Sequence, residues 1–276
     1  MPILERDGVR IDYREAGQGE AVILIHSSAF GLGQWRKLMD AIAPRFRAIA
    51  YNLYGYGETT AWPGSRLQTM RDQAALTLAL ADRLKGPVHL VGHSFGGSVA
   101  MKAALALGPR LASLALLEPS AFHLLQQHGR LAAYAEVCAL WDDVKRFGAV
   151  SDWERMAERF ADYWNAPGTW AATLPERRQA LLRILPSVLH EVDALLADTD
   201  AISTLAPFAA RTLLVSADDT ARPSREIAEV MAAQLPGLTW RRISQGGHMA
   251  PLTRSDLVNP LVIAHLERFR AQAPEQ

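Results

Sequence analysis

The sequence predicts an α/β fold: a mostly parallel central sheet flanked by helices, interrupted by an all-helical insertion. Three observations predict it. Short apolar runs alternate with helix-spaced segments from about residue 21 to residue 117. The alternation stops between about residues 121 and 202, where only helical spacing recurs. It resumes at Thr212 and continues to the last helix. The expected division is a core of residues 1–120 and 203–276 with a helical unit of residues 121–202 inserted into it.

Val9 to Arg14 alternates apolar and polar residues, which predicts a half-exposed strand with Val9, Ile11 and Tyr13 on its inner side. Ala21 to Ile25 is apolar throughout and reads as a central strand buried on both faces. It ends at His26-Ser27-Ser28, ahead of a glycine-bearing loop. Gln34 to Ala43 has helical spacing and stops at Pro44; Phe46 to Tyr51 is a strand running into Asn52 and the Gly55-x-Gly57 turn. Ser65-x-x-Gln68 has the form of a capping box opening a helix to about Lys85. Val88 to Val91 is a buried strand, Ser98 to Leu107 a helix and Leu114 to Leu117 a strand.

In the insertion, Leu131, Tyr134, Cys138 and Trp141 recur at helical spacing. Ser151-x-x-Glu154 and Thr173-x-x-Glu176 look like capping boxes for two further helices. Thr212 to Val215 and Thr239 to Ile243 are strands around a helix from Ser224 to Gln234. Ser255 to Arg270 closes the chain as a helix that Pro260 kinks or delays, and the tail 271–276 is expected to fray.

Composition excludes several classes. Hydrophobic residues make up 49% and charged residues 21%, as in an ordinary globular enzyme. Lys+Arg and Asp+Glu are both 29, so a net charge of zero gives no electrostatic case for nucleic acid or an anionic membrane. Cys138 is the single cysteine, which rules out an intramolecular disulfide and a cysteine metal cluster. Glu5, Arg6 and Asp7 interrupt the N-terminal region, so no signal peptide is expected, and no run reaches the ~20 apolar residues of a membrane helix. A cytoplasmic protein is expected, compatible with a homodimer and without metal or organic cofactor.

Chemistry concentrates at Gly92-His93-Ser94-Phe95-Gly96, a G-x-S-x-G sequence between a strand and a helix. Such a turn brings two backbones together, so Gly92 and Gly96 carry no side chain and Ser94 is lifted from the sheet edge. The following helix presents its positive end to Ser94. A serine hydroxyl needs a base, and the base an orienting acid. The strand from Thr212 runs into Ser216-Ala217-Asp218-Asp219, and the strand from Thr239 into Gly246-Gly247-His248. The order is serine, acid, histidine.

On these residues the sequence resembles the α/β-hydrolases that carry a helical cap, over nearly the whole chain. The resemblance implies the α/β-hydrolase fold and a catalytic set of Ser94, His248 and Asp219. Members commonly place the acid in G-x-x-D with a proline four residues on. Ser216-x-x-Asp219 with Pro223 fits that register, with serine in place of glycine, and favours Asp219 over Asp218. Some relatives take the acid from the end of the preceding core strand, which keeps Glu118 in contention. The resemblance also assigns the oxyanion donors to the backbone N–H groups of Phe95 and Ser28. Ser27 departs from the usual glycine of that loop, and Asn52 from the usual aspartate before its turn. His26 is expected to hold the loop by hydrogen bonds.

The resulting expectation is hydrolysis of a small to medium apolar ester or lactone through an acyl-enzyme. Trp141 and Trp164 of the insertion, with His123 at its root, are the candidate substrate contacts. Epoxide hydrolases and haloalkane dehalogenases of this fold use aspartate where Ser94 stands. Three other readings stay open: a carbon–carbon bond hydrolase, in which Arg130, Arg177 or Arg183 would meet a dienoate, or an enol-lactonase of the same fold; a cofactor-free oxygenase or lyase; and a non-catalytic binding or scaffolding protein.

Overall fold

The runs that read as buried strands form the middle of one eight-stranded sheet. The computed structural model describes residues 2–270, and the tail expected to fray lies outside them. The strands are β1 (Ile3–Arg6), β2 (Val9–Ala16), β3 (Ala21–Ile25), β4 (Arg47–Tyr51), β5 (Val88–His93), β6 (Leu111–Leu117), β7 (Thr212–Ala217) and β8 (Thr239–Ile243). Their order across the sheet is β1-β2-β4-β3-β5-β6-β7-β8. The β1–β2 and β2–β4 pairs are antiparallel and every other pair is parallel. The sheet is therefore the expected mostly parallel one with an antiparallel edge, and β1 is a strand the sequence did not announce.

The helices are α1 (Arg36–Ile42), α2 (Met70–Ala81), α3 (Phe95–Leu107), α4 (His123–Gln127), α5 (Leu131–Ala149), α6 (Trp153–Trp164), α7 (Thr169–Ala172), α8 (Pro175–Leu196), α9 (Arg222–Gln234), α10 (Ala250–Thr253) and α11 (Ser255–Arg268). Alternate residues of β3 face opposite layers: Ile23 and Ile25 pack with α2 and α3, Val22 and Leu24 with α1 and α11. Burial on both faces is why this strand is apolar throughout. Helices α4–α8 form the helical insert between β6 and β7. Among the described residues no helix is long and apolar enough to cross a membrane.

Helix starts differ from the sequence pattern. The box that opens α2 is Thr69 with Asp72, each side chain bonded to the other's backbone N–H, while Ser65 to Gln68 stays in the loop. Asp152, not Ser151, caps α6 by accepting from the Arg155 N–H, and α8 starts at Pro175 without a side-chain cap. In both capped cases the cap lies nearer the helix than the pattern suggested, four places on at Thr69 and one at Asp152, because only the residue flanking the first turn reaches its free N–H groups. Asp12, expected on the outer side of β2, is buried. Its carboxylate accepts from Asn52 Nδ2 and from the Glu58 N–H.

Candidate active site

Ser94 sits between β5 and α3 with φ 54° and ψ −120°, a backbone conformation that non-glycine residues rarely hold. The glycines around it are there for space. A Cβ on Gly92 would meet the Gly96 carbonyl, and one on Gly96 would meet the carbonyls of Ile25 and His26. The second clash shows that α3 also presses onto the end of β3. Ser94 N–H donates to the Leu117 carbonyl at 2.9 Å, which ties the elbow to the end of β6.

The hydroxyl of Ser94 lies 2.8 Å from His248 Nε2 and 3.1 Å from Ser120 Oγ. His248 Nδ1 lies 2.9 Å from Glu118 Oε2. That carboxylate also accepts from the Ala217 N–H at 2.8 Å and from the Thr220 hydroxyl at 2.6 Å. Ser94, Glu118 and His248 are all buried. With Nδ1–H donating to Glu118, Nε2 is left as the acceptor for the Ser94 proton.

Asp219 therefore does not hold the place the sequence assigned to it. Its oxygens accept from the backbone N–H groups of Gly246 (3.0 Å) and Gly247 (2.8 Å) on the solvent side. It holds the loop that carries His248 rather than the imidazole. Glu118 wins because it leaves β6 with φ 46°, directly beside the elbow. Asp218 is taken by Arg242 at 2.7 Å.

The loop after β3 is held from both ends. His26 Nδ1–H donates to the Ser27 carbonyl and its Nε2 accepts from the Leu53 N–H, as expected of a holding residue. Burial lowers its pKa to about 4, so it stays neutral. Ser27, where glycine was expected, has a use: its N–H and hydroxyl both donate to Gln34 Oε1. Gln34 Nε2 donates to His93 Nδ1, and His93 Nε2–H donates to the His248 carbonyl at 2.9 Å. One chain of hydrogen bonds thus joins the loop at residues 26–28 to the histidine loop. His93 needs both ring nitrogens in these neutral roles, and burial, then the His248 ring, lower its pKa to about 3. Asn52, also a departure, accepts from the Leu32 N–H and donates to Asp12.

Among the described residues, no protein acceptor is matched to the Ser28 N–H. The Phe95 N–H opens α3, where no intrahelical acceptor exists. Ser28 and Ser94 both line a cavity of about 450 Å³ with His248. Phe160, Trp164, Leu181 and Ile184 of the insert supply much of its apolar wall. Trp164 lies over the imidazole of His248, ring centroids 4.3 Å apart.

The other two candidate contacts are elsewhere. Trp141 is buried behind Trp164, against Phe122 and Phe160, and does not reach the cavity. It faces the inner seam of the insert, where helical spacing alone cannot tell core from pocket. His123 lies at the root of the insert, 4.0 Å from Asp198, in an ion-pair cluster with Lys102 and Asp200. Of the three arginines considered for an anionic substrate, only Arg177 lines the cavity. Arg130 pairs with Glu229, and Arg183 lies outside the lining. Ser120, Thr220 and Gln34 were not foreseen; their roles depend on which loops meet, which no local pattern encodes.

Comparison with known proteins bears on the family and the fold. The alpha/beta hydrolase family model matches residues 22–261. A protein of Pantoea ananatis (strain LMG 20103), named as a provisional carbamate hydrolase RutD, is 26% identical over 269 residues, 93% of each chain. The structure of a thermophilic esterase from Thermogutta terrifontis superposes with a TM-score of 0.74 at 21% identity, covering 98% of this chain and 97% of the other. Est816, described as an N-acyl homoserine lactone degrading enzyme, gives a TM-score of 0.69 at 22% identity, covering 95% and 99%. At these identities the two structures speak for the fold.

Proposed function

Because the chain belongs to the alpha/beta hydrolase family, we propose that it is a serine hydrolase cleaving a carboxylic ester or lactone through an acyl-enzyme. The observation that carries this reading is the 2.8 Å separation of His248 Nε2 from Ser94 Oγ, with Glu118 on the far ring nitrogen. In this reading residues 121–202 act as a cap over the site.

His248 Nε2 takes the Ser94 proton as Oγ attacks the substrate carbonyl carbon. The oxygen of the tetrahedral adduct gains negative charge facing the N–H groups of Phe95 and Ser28. Collapse breaks the bond to the leaving oxygen, which receives the proton from His248. Water then gives a proton to the same nitrogen, attacks the acyl carbon, and the proton returns to Ser94 as the acid departs. Glu118 keeps the histidine in the required tautomer and stabilises its charged form. A cavity of about 450 Å³ with largely apolar walls suits a small or medium acyl group.

One observation favours a second reading. Arg177 is exposed, lines the cavity and pairs with no carboxylate among the described residues, so a dienoate cleaved at a carbon–carbon bond would find a cation there. A fluorophosphonate probe and a panel of esters, lactones and dienoates decide. Labelling that disappears in Ser94→Ala, with ester or lactone turnover, is the expected result. Dienoate cleavage alone favours the second reading. Neither labelling nor turnover overturns both and leaves a binding protein.

A further inference from the structure

Helix α8 meets the core at the loop that follows β4. A Cβ on Gly55, whose φ is +79°, would run into the Ser187 hydroxyl of α8, so the two backbones are close. One turn further along the same face is Glu191, buried at 1% exposure. Neither of its oxygens completes a hydrogen bond of good geometry. The hydroxyls acting on it are those of Tyr56 and Ser28. No charged side chain among the described residues pairs with it.

A carboxyl buried without a cation is costly, and a helix packed for stability alone would hold an apolar residue there. The two hydroxyls beside it are not arbitrary. The Tyr56 oxygen accepts from the Ala29 N–H at 2.9 Å, and Ala29 is itself held at φ 69°. The proton of that hydroxyl is then free to point at Glu191. Ser28 is the next residue back, and its hydroxyl is the other one that acts on the carboxyl.

We propose that Glu191 is a positioning residue for the oxyanion loop: as an acceptor for the Tyr56 and Ser28 hydroxyls, it makes seating of the insert on the core set the direction of the Ser28 N–H. The proposal rests on the serine hydrolase reading above. The ionised carboxylate is the stronger acceptor. Burial, offset in part by the two hydroxyls, raises its pKa to about 7, so the grip tightens across the neutral range. Tyr56 is the titratable group facing Glu191; burial holds its own pKa well above 10, and His26, whose ring meets Tyr56 edge-on, stays neutral.

The test compares wild type, Glu191→Gln, Tyr56→Phe and the double variant on p-nitrophenyl butyrate from pH 5.5 to 8.5, with thermal midpoints. The ratio of wild-type to Glu191→Gln kcat should grow from about 2-fold at pH 6 to about 10-fold at pH 8.5, with KM within about 2-fold. Tyr56→Phe should lose the same pH step, and the double variant should fall no more than about 2-fold below it. If Glu191→Gln does not fold, Tyr56→Phe alone still has to lose the step. A ratio flat with pH, or losses that multiply in the double variant, overturns the proposal while the hydrolase reading stands. A wild-type protein that neither turns over ester nor takes the fluorophosphonate label overturns both.

Discussion

Glu118 Oε2 and His248 Nδ1 stand 2.9 Å apart although 130 residues separate them in the chain. The contact makes a direct prediction against Asp219, the residue the sequence favoured. Glu118→Gln puts an amide donor opposite Nδ1 and favours the wrong tautomer, so kcat should fall by about 10³-fold or more with little change in KM. Asp219→Asn keeps one acceptor for the Gly246–Gly247 turn and should cost less than about 10-fold. Steady-state kinetics on one ester separate the two; equal losses would return Asp219 to a role on the imidazole.

How far the sequence carries is clearest at that pair. The elbow, the serine and the histidine were legible because each sits in a local pattern: glycines at fixed offsets, strand ends, chain order. The acid was not, since both β6 and β7 end in a carboxylate and the choice depends on how each chain leaves its strand. Glu118 turns inward at φ 46° while Asp219 stays outside. The insert shows the same limit. Its helices follow from spacing, but whether Trp141 or Trp164 meets the cavity depends on packing between helices. Glu191 left a fainter trace: an acid on the face of α8 that carries Val188 and Leu195.

The two tryptophans should separate in solution. Trp141→Ala empties a site walled by Phe122 and Phe160 and should destabilise by about 3–5 kcal/mol, leaving KM values nearly unchanged. Trp164→Ala should raise KM and lower kcat as well, because it uncovers the imidazole of His248. Urea unfolding and a series of acyl chain lengths provide both readings. A Trp141→Ala protein with altered chain-length preference would place that residue at the cavity after all.

Arg177 and Arg178 are neighbours in sequence with different employment. Arg178 donates to the carbonyls of Ala171 and Thr173 and lies over the Trp170 ring, so it holds α7 to α8. Among the described residues, Arg177 is the one Lys, Arg, Asp or Glu side chain in the cavity lining. Arg177→Ala should therefore raise KM for an ester with a distal carboxylate by about 3–5-fold, as expected of an exposed ion pair, and leave a neutral ester unaffected. The difference should shrink in 0.5 M salt, where the screening length is only about 4–5 Å. Equal effects on both esters would assign Arg177 to folding.

Buried groups also fix how stability depends on pH. His26, His93 and His265 have pKa values lowered by burial to about 4, 3 and 4, so between about those values and pH 6.5 the unfolded chain binds more protons than the native one. Stability from these groups therefore rises with pH up to that point. Glu191 has the opposite sign. Its pKa is raised from 4.5 to about 7, so between those values the native protein binds the extra proton and stability falls as pH rises. The full penalty, roughly 3 kcal/mol, is present above about pH 7 and absent below about 4.5. Glu191→Gln has no proton to lose. Its stability relative to wild type should improve by up to roughly 3 kcal/mol between pH 5 and pH 8, whatever its offset at either end. Urea titrations of both proteins at those two pH values measure this double difference. A value near zero would mean that the Glu191 carboxyl titrates no differently in the native and unfolded states.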